Sequence, residues 1–187
     1  AALIGACPRE HRIITVEETF ELAVVAPDAV ALQGRQPSLE GTGAVNLRRL
    51  VKEALRMRPD RLVVGEVRGA ELADLLSALN TGHEGGCGTV HANSAGDVPA
   101  RLEALAALGG LGRDALHAQL AAALQVLVHV RRLPDGRRWV DELSLVRQDP
   151  ATGRCLSVPA IRFRPESASV PGDGYEQLCR LVAEGAS

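Results

Sequence analysis

The chain has 187 residues, a formal net charge of -2 and 46% hydrophobic residues, the proportions of an ordinary soluble globular protein with one main core. All but one of its 21 basic residues are arginine, the exception being Lys52, yet the near-balanced charge excludes a global positive field for a polyanion. The aromatic residues Phe20, Trp139, Phe163 and Tyr175 are scattered, which removes a stacking platform for single-stranded nucleic acid and leaves protein or nucleotide as the partner.

Cys7, Cys87, Cys155 and Cys179 form no C-x-x-C pair, which speaks against a disulfide framework or a zinc ribbon and fits a reducing cytosol. The longest uncharged apolar stretch, Ala115 to Val128, is interrupted by His117, Gln119 and Gln125, so no segment spans a bilayer. A basic region followed by an apolar signal core is also missing from the N-terminus. The expectation is a soluble, cytoplasmic protein.

In chain order, Arg12 to Val16 (RIITV) is a β-branched run that meets charge at Glu17 and Glu18, the pattern of a buried strand ending in carboxylates. Ala26 to Gly43 is rich in proline and glycine and reads as loop, with AVALQ as a strand inside it. From Asn46, Leu47, Leu50, Val51, Ala54 and Leu55 recur at helical spacing until Pro59 stops the helix. Leu62 to Val64 is a strand without polar interruption, as in the middle of a parallel sheet covered on both faces, and Gly65 and Glu66 close it.

Ala70 to Asn80 is a second amphipathic helix, with Gly82 placed to cap its end. The glycine-rich stretch that follows suggests a brief strand at Thr89 to His91, and Pro99 to Leu108 and Arg113 to Leu124 are two further helices. Beyond Leu124 the period changes: VLVHVRR, RRWVDELSLV and RCLSVPAIRF read as two or three strands of an antiparallel meander. Pro165 to Gly174 reads as a linker and Tyr175 to Ala183 as a short closing helix. The fold class is therefore α/β, a mostly parallel sheet with helices followed by a small antiparallel β meander. The expected organisation is a core over residues 1–124, a meander over 125–163, and a linker with a short helix over 164–187.

Two clusters carry candidate chemistry. His83, Cys87 and His91 stand four residues apart, so a helix would align them as zinc ligands, but Gly85, Gly86 and Gly88 each disfavour helix by about 1 kcal/mol. A lone His/Cys/His set is in any case weak evidence for zinc. The second cluster is electrostatic. Ligands of open α/β sheets bind beyond the carboxyl ends of the strands, so Glu17 with Glu18, and Glu66 with Arg68, point toward one crevice suited to a metal-bound phosphate. The plainer alternative is a surface ion pair between Glu66 and Arg68.

VVGEVRG, TGHEGGCGTVHANS and IITVEETFEL, with LVKEALRMRPDR before the first of them, resemble the type II/IV secretion traffic ATPases over about Arg12 to Phe163. The nearest likeness is to the tight-adherence (Flp) pilus assembly and conjugal-transfer-associated subfamily. The resemblance implies a partial RecA-like P-loop NTPase core over residues 1–124, ATP and Mg2+ as cofactors, a homo-hexamer, inner-membrane platform partners and a place at the inner face of the membrane. It makes Gly65 and Glu66 the Walker B end, with Glu66 as the base that polarises water. Glu17, Glu18 and Glu21 become an acidic box, with Glu17 and Glu18 sharing magnesium. His83 and His91 become a histidine box sensing the γ-phosphate side, and Arg35 and Arg68 phosphate contacts. Cys87 is then a small residue in a tight loop.

The chain departs from the family pattern in two places: Glu18 stands where the acidic box usually has aspartate, and no G-x-x-x-x-G-K-[ST] occurs. The start, AALIGACPREHRIITV, reads like the end of the helix and the linker that follow the P-loop, so the expectation is a C-terminal motor portion, inactive by itself. A non-catalytic assembly or regulatory module, a DNA motor and a zinc protein are the competing readings.

Overall fold

The structure is a computed structural model and describes residues 2–37, 39, 42–82, 85–165 and 167–185. It divides into two compact units, Ala1–Val90 with Leu105–Gly112, and His91–Ala104 with Arg113–Ser187.

The first unit is built on four parallel strands, β1 (Ile13–Glu17), β2 (Ala29–Gln33), β3 (Arg61–Val64) and the two-residue β4 (Cys87–Gly88), in the order β2-β1-β3-β4. All five residues of β1 are buried, as the unbroken β-branched run requires of a central strand. Its register aligns Ile13, Thr15 and Val16 with Arg61, Val63 and Val64 of β3. Alternation then sorts the sheet into two faces. On one face Ile13 and Val63 pack with Ile4, which lies in the short α1 (Ala2–Gly5), and with Leu22, Val24 and Ala26 from the segment after β1.

The opposite face carries Ile14, Val16, Leu62 and Val64, all buried, and is met by two helices. The first, α2 (Leu47–Arg56), buries Leu47, Val51 and Ala54, and the Asn46 side chain caps it by accepting the Arg49 N–H at 2.9 Å. The second, α3 (Glu71–Leu79), buries Leu72, Leu75, Leu76 and Leu79. Asp74 ties the pair together, accepting Arg48 at 2.7 Å and lying 3.5 Å from Lys52.

The helix α4 (Val98–Leu108) follows a short 3-10 turn at Ala95–Asp97 and runs from one unit into the other. In the second unit, α5 (Arg113–Ala123) precedes an antiparallel sheet of β5 (Val126–Arg132), β6 (Arg138–Gln148), β7 (Cys155–Arg164) and β8 (Ser167–Pro171), in that order. Chain reversals at Gly136 and Gly153 use positive φ of 88° and 69°. In the β6–β7 register Leu143 opposes Ile161 and Ser144 opposes Pro159, so Ala160 is the extra residue of a bulge, where a proline without an N–H is tolerated. Finally α6 (Tyr175–Gly185) lays Leu178 and Leu181 against Leu145 and Ala160.

Two elements differ from the sequence reading. The meander has four strands, because the stretch that reads as a linker forms β8 on the edge of β7. All five β8 residues are exposed, so no alternation of apolar and polar residues marked them. The brief strand near Thr89 is instead Cys87–Gly88, where Gly88 brings the backbone against Val67 and Leu75.

The second unit is pinned by His117, 2% exposed on α5. Its Nδ1 accepts the Cys155 N–H at 3.0 Å, so the neutral ring carries its proton on Nε2 and donates to Glu103 Oε1 at 2.9 Å. That bond, aided by Arg113, holds the Glu103 carboxyl below its ordinary 4.5. A carboxylate whose pKa is lower folded than unfolded stabilises the fold above the unfolded value and loses that contribution as pH falls through the folded one. Urea titrations across pH 3 to 6 should therefore show a shallower acid loss of stability for Glu103→Gln than for the parent, beginning below about pH 4.5; identical slopes would contradict the coupling.

Candidate functional site

Parallel pairing brings the carboxyl ends of β1, β2 and β3 to one edge of the sheet, and each strand delivers its next residues there. Glu17 and Glu18 follow from β1, Gly34 and Arg35 from β2, Gly65 and Glu66 from β3. Backbone bonds continue past the strand ends: Gly34 N–H donates to Glu17 O at 2.8 Å and Gly65 N–H to Val16 O at 2.9 Å.

Glu17 is 3% exposed. Its Oε1 accepts the N–H groups of Glu21 and Leu22, both at 3.1 Å, so the carboxylate folds the segment after β1 back over the sheet. A side chain on Gly65 would begin 2.7 Å from Glu17 Cγ, closer than real Cβ contacts come, so the residue beside this carboxylate has to be glycine. Glu17 is thus engaged as a strut within the fold. Glu21 enters through its backbone N–H, and its side chain is exposed.

Glu18 and Glu66 are placed differently. Arg68 Nη2 lies 2.5 Å from Glu66 Oε2, and its Nη1 lies 3.5 Å from Glu18 Oε2, so one guanidinium bridges carboxylates from two strands. The Glu66 hydrogen bond is the main cause of an Arg68 pKa raised above the ordinary arginine value. Side-chain exposure is 25% for Glu66 and above one half for both Arg68 and Glu18, so solvent reaches the cluster and screens it.

The turn beneath this cluster is held by two residues that sequence reasoning missed. Glu71, buried at the first position of α3, accepts the N–H groups of Arg68 at 2.6 Å and Gly69 at 2.7 Å. Thr89 follows β4; its hydroxyl donates to Gly65 O and its carbonyl accepts the Val67 N–H at 2.8 Å. The available signal for Glu71 was an acidic residue opening a helix whose N-cap position, Ala70, has no side-chain acceptor.

Arg35 lies beside Glu18 in a shallow cleft with Gly34, Val45 and Asn46, and its Nε donates to Gly43 O at 2.6 Å. His83 lies outside the described residues. His91 is exposed and belongs to the second unit. Cys87 is a free, exposed cysteine on β4, and its strand conformation removes the helical face on which the zinc spacing depended.

Residues 1–157 match the model of the type II/IV secretion system protein family. The chain belongs to that family. It is 60% identical over 158 residues to a Mycobacterium tuberculosis protein named for conjugal transfer, covering 84% of this chain and 44% of the relative. It is 36% identical to the conjugal transfer protein TrbB of Rhizobium radiobacter, covering 74% of this chain and 40% of that one. Among solved structures it is similar to the VirB11 ATPase of the Brucella suis type IV secretion system in complex with sulphate. There the TM-score is 0.65 at 28% identity, over 76% of this chain and 42% of the other. The chain thus spans less than half the length of these relatives.

The different placements of Glu17 and Glu18 separate their stability effects. Glu17→Ala leaves the part-buried Glu21 and Leu22 N–H groups without their acceptor and should lower unfolding free energy by about 1–2 kcal/mol, whereas Glu18→Ala should stay within about 0.5 kcal/mol. Chemical denaturation of the two variants measures the difference, and equal losses would contradict the strut assignment.

Proposed function

We propose that this chain forms the carboxylate-and-arginine side of an ATP-hydrolysing motor of the secretion and conjugation type. The observation that carries the reading is the Glu66–Arg68–Glu18 cluster at the carboxyl ends of adjacent parallel strands. Glu66, on a pinned turn and partly open to solvent, has the position of a base that orients and polarises a water attacking a terminal phosphate. Arg68 offers a planar donor set that fits phosphate oxygens as well as it fits Glu66. Arg35 stands at the neighbouring strand end as a second phosphate contact, and His83 and His91 keep the sensing role that the family resemblance gives them.

The donor set suits magnesium on one side only. Glu18 and Glu66 are hard oxygen donors open to solvent, and they fit a hydrated magnesium ion. Glu17 does not fit, because it is buried and holds backbone amides. Glu18 and Glu66 would be the residues that hold such an ion, and it would supply positive charge toward a bound triphosphate. The backbone cradle and phosphate lysine of G-x-x-x-x-G-K-[ST] are not among these 187 residues, so turnover requires a polypeptide that also carries that loop. The wider reading includes a homo-hexamer, membrane-platform partners, and work in pilus assembly, secretion or conjugal transfer, with the tight-adherence pilus as one setting. No helix among the described residues is long and apolar enough to cross a membrane. The alternative reading is a non-catalytic assembly or regulatory module derived from that family.

The test is steady-state phosphate release from a polypeptide that carries a P-loop ahead of this chain. Glu66→Gln should lower kcat by about 10²–10⁴-fold while nucleotide affinity holds, the usual range for loss of a general base. Unchanged turnover would remove Glu66 from that role, and no turnover in the parent would favour the non-catalytic module. The 187 residues alone should release no phosphate above the uncatalysed background.

A further inference from the structure

Glu71 does something that an ordinary helix cap does not. A capping side chain accepts N–H groups inside the first turn of its own helix. The Glu71 carboxylate instead reaches backward past Ala70 to the N–H groups of Arg68 and Gly69, which precede α3. Those bonds leave the orphan donors of the helix as they were and order the turn before it. The residue is 7% exposed, so the acceptor works where water does not compete.

The turn is anchored on both sides of Glu66. Gly65 is held through its N–H by Val16 and through its carbonyl by the Thr89 hydroxyl, and Val67 donates to Thr89 O. Arg68 and Gly69 are held by Glu71. Glu66 and Arg68 are two residues apart, and their 2.5 Å contact depends on the path of the backbone between them. Among the described residues, the side-chain acceptor of the backbone amides at the Arg68 end is Glu71.

We propose that Glu71 is the positioning residue for the Glu66–Arg68 pair and acts by fixing the Arg68 and Gly69 amides. This rests on the reading of Glu66 as the base. Both amides converge on one oxygen, Oε1, so the requirement is for an acceptor at that reach and not for a charge. Glu71→Gln keeps a carbonyl oxygen there, Glu71→Asp keeps the charge but withdraws it by one methylene, and Glu71→Leu removes the acceptor.

Two measurements test the proposal. In the 187-residue chain, amide hydrogen exchange at Arg68 and Gly69 should be slow in the parent and in Glu71→Gln, and about tenfold or more faster in Glu71→Asp and Glu71→Leu. In the P-loop-bearing polypeptide, Glu71→Asp and Glu71→Leu should lower kcat about 10²-fold with nucleotide affinity retained, the cost of misplacing a reacting group by about 1 Å. Glu71→Gln should restore kcat to within about threefold of the parent. Parent-like kcat in Glu71→Asp, or a Glu71→Gln variant as slow as Glu71→Leu, would overturn the proposal, the second result by showing that charge matters and reach does not. If Glu71→Leu does not fold, the Asp and Gln variants decide between the same outcomes. A Glu66→Gln variant with parent turnover would sink the base reading, and the exchange measurement would still decide whether Glu71 fixes the turn.

Discussion

A carboxylate taken out of water costs several kcal/mol unless donors meet it, and the central strand of this protein ends on one. The solution at Glu17 shapes everything around it. Its oxygens require amides, so the chain after β1 turns back at once to present Glu21 and Leu22. That return carries Leu22, Val24 and Ala26 across the face of the sheet, where they pack with Ile13 and Val63. The same carboxylate fills the space beside β3, which leaves room for hydrogen but not for a methyl group at Gly65. Charge burial, loop path, packing and a glycine requirement are thus one constraint seen from four sides.

The same physics divides four chemically similar side chains into two kinds. Glu17 and Glu71 are buried and accept pairs of backbone N–H groups; Glu18 and Glu66 face solvent and share a guanidinium. The second kind lies in a solvent-screened environment, where ion pairs hold weakly. The buried kind fixes the backbone on which that pair stands.

What was legible in the sequence followed from periodicity. The RIITV and RLVV runs, the leucine spacing of α2 and α3, and the change to alternating strands after Leu124 each report a buried face directly, and β1, β3 and α2 through α6 formed within a residue or two of the reading. Strand β8 escaped because an edge strand that buries nothing carries no pattern. In the site, the candidate residues were identified from strand ends and from family resemblance, but their division into struts and exposed groups was not. Glutamate at 17 and glutamate at 18 look alike on paper. Which one is buried depends on which sheet face each meets, and for Glu71 on the backbone path of residues it does not adjoin in the helix. Amide-accepting carboxylates of this sort have no spacing signature, since their partners are set by turn conformation.

The family match ends at residue 157, inside β7, while the chain continues through the bulge at Pro159, β8 and α6. Within the second unit this last part has a clear physical task. Leu145 on β6 is 1% exposed and Ala160 fully buried, and the apolar cover over both comes from Leu178 and Leu181 on α6. The helix can lie there because Gly172 and Gly174 let the chain run against the Pro159 carbonyl, where a side chain on Gly172 would begin 2.4 Å from that oxygen. Gly174 N–H closes the approach with a bond to Pro159 O, and Arg147 reaches from β6 to Gln177 at 2.7 Å. A sheet face that apolar is not stable against water uncovered. The bulge, the two glycines and the amphipathic helix therefore act as one covering device, and a change that straightens β7 at Ala160 would be felt first in the seating of α6.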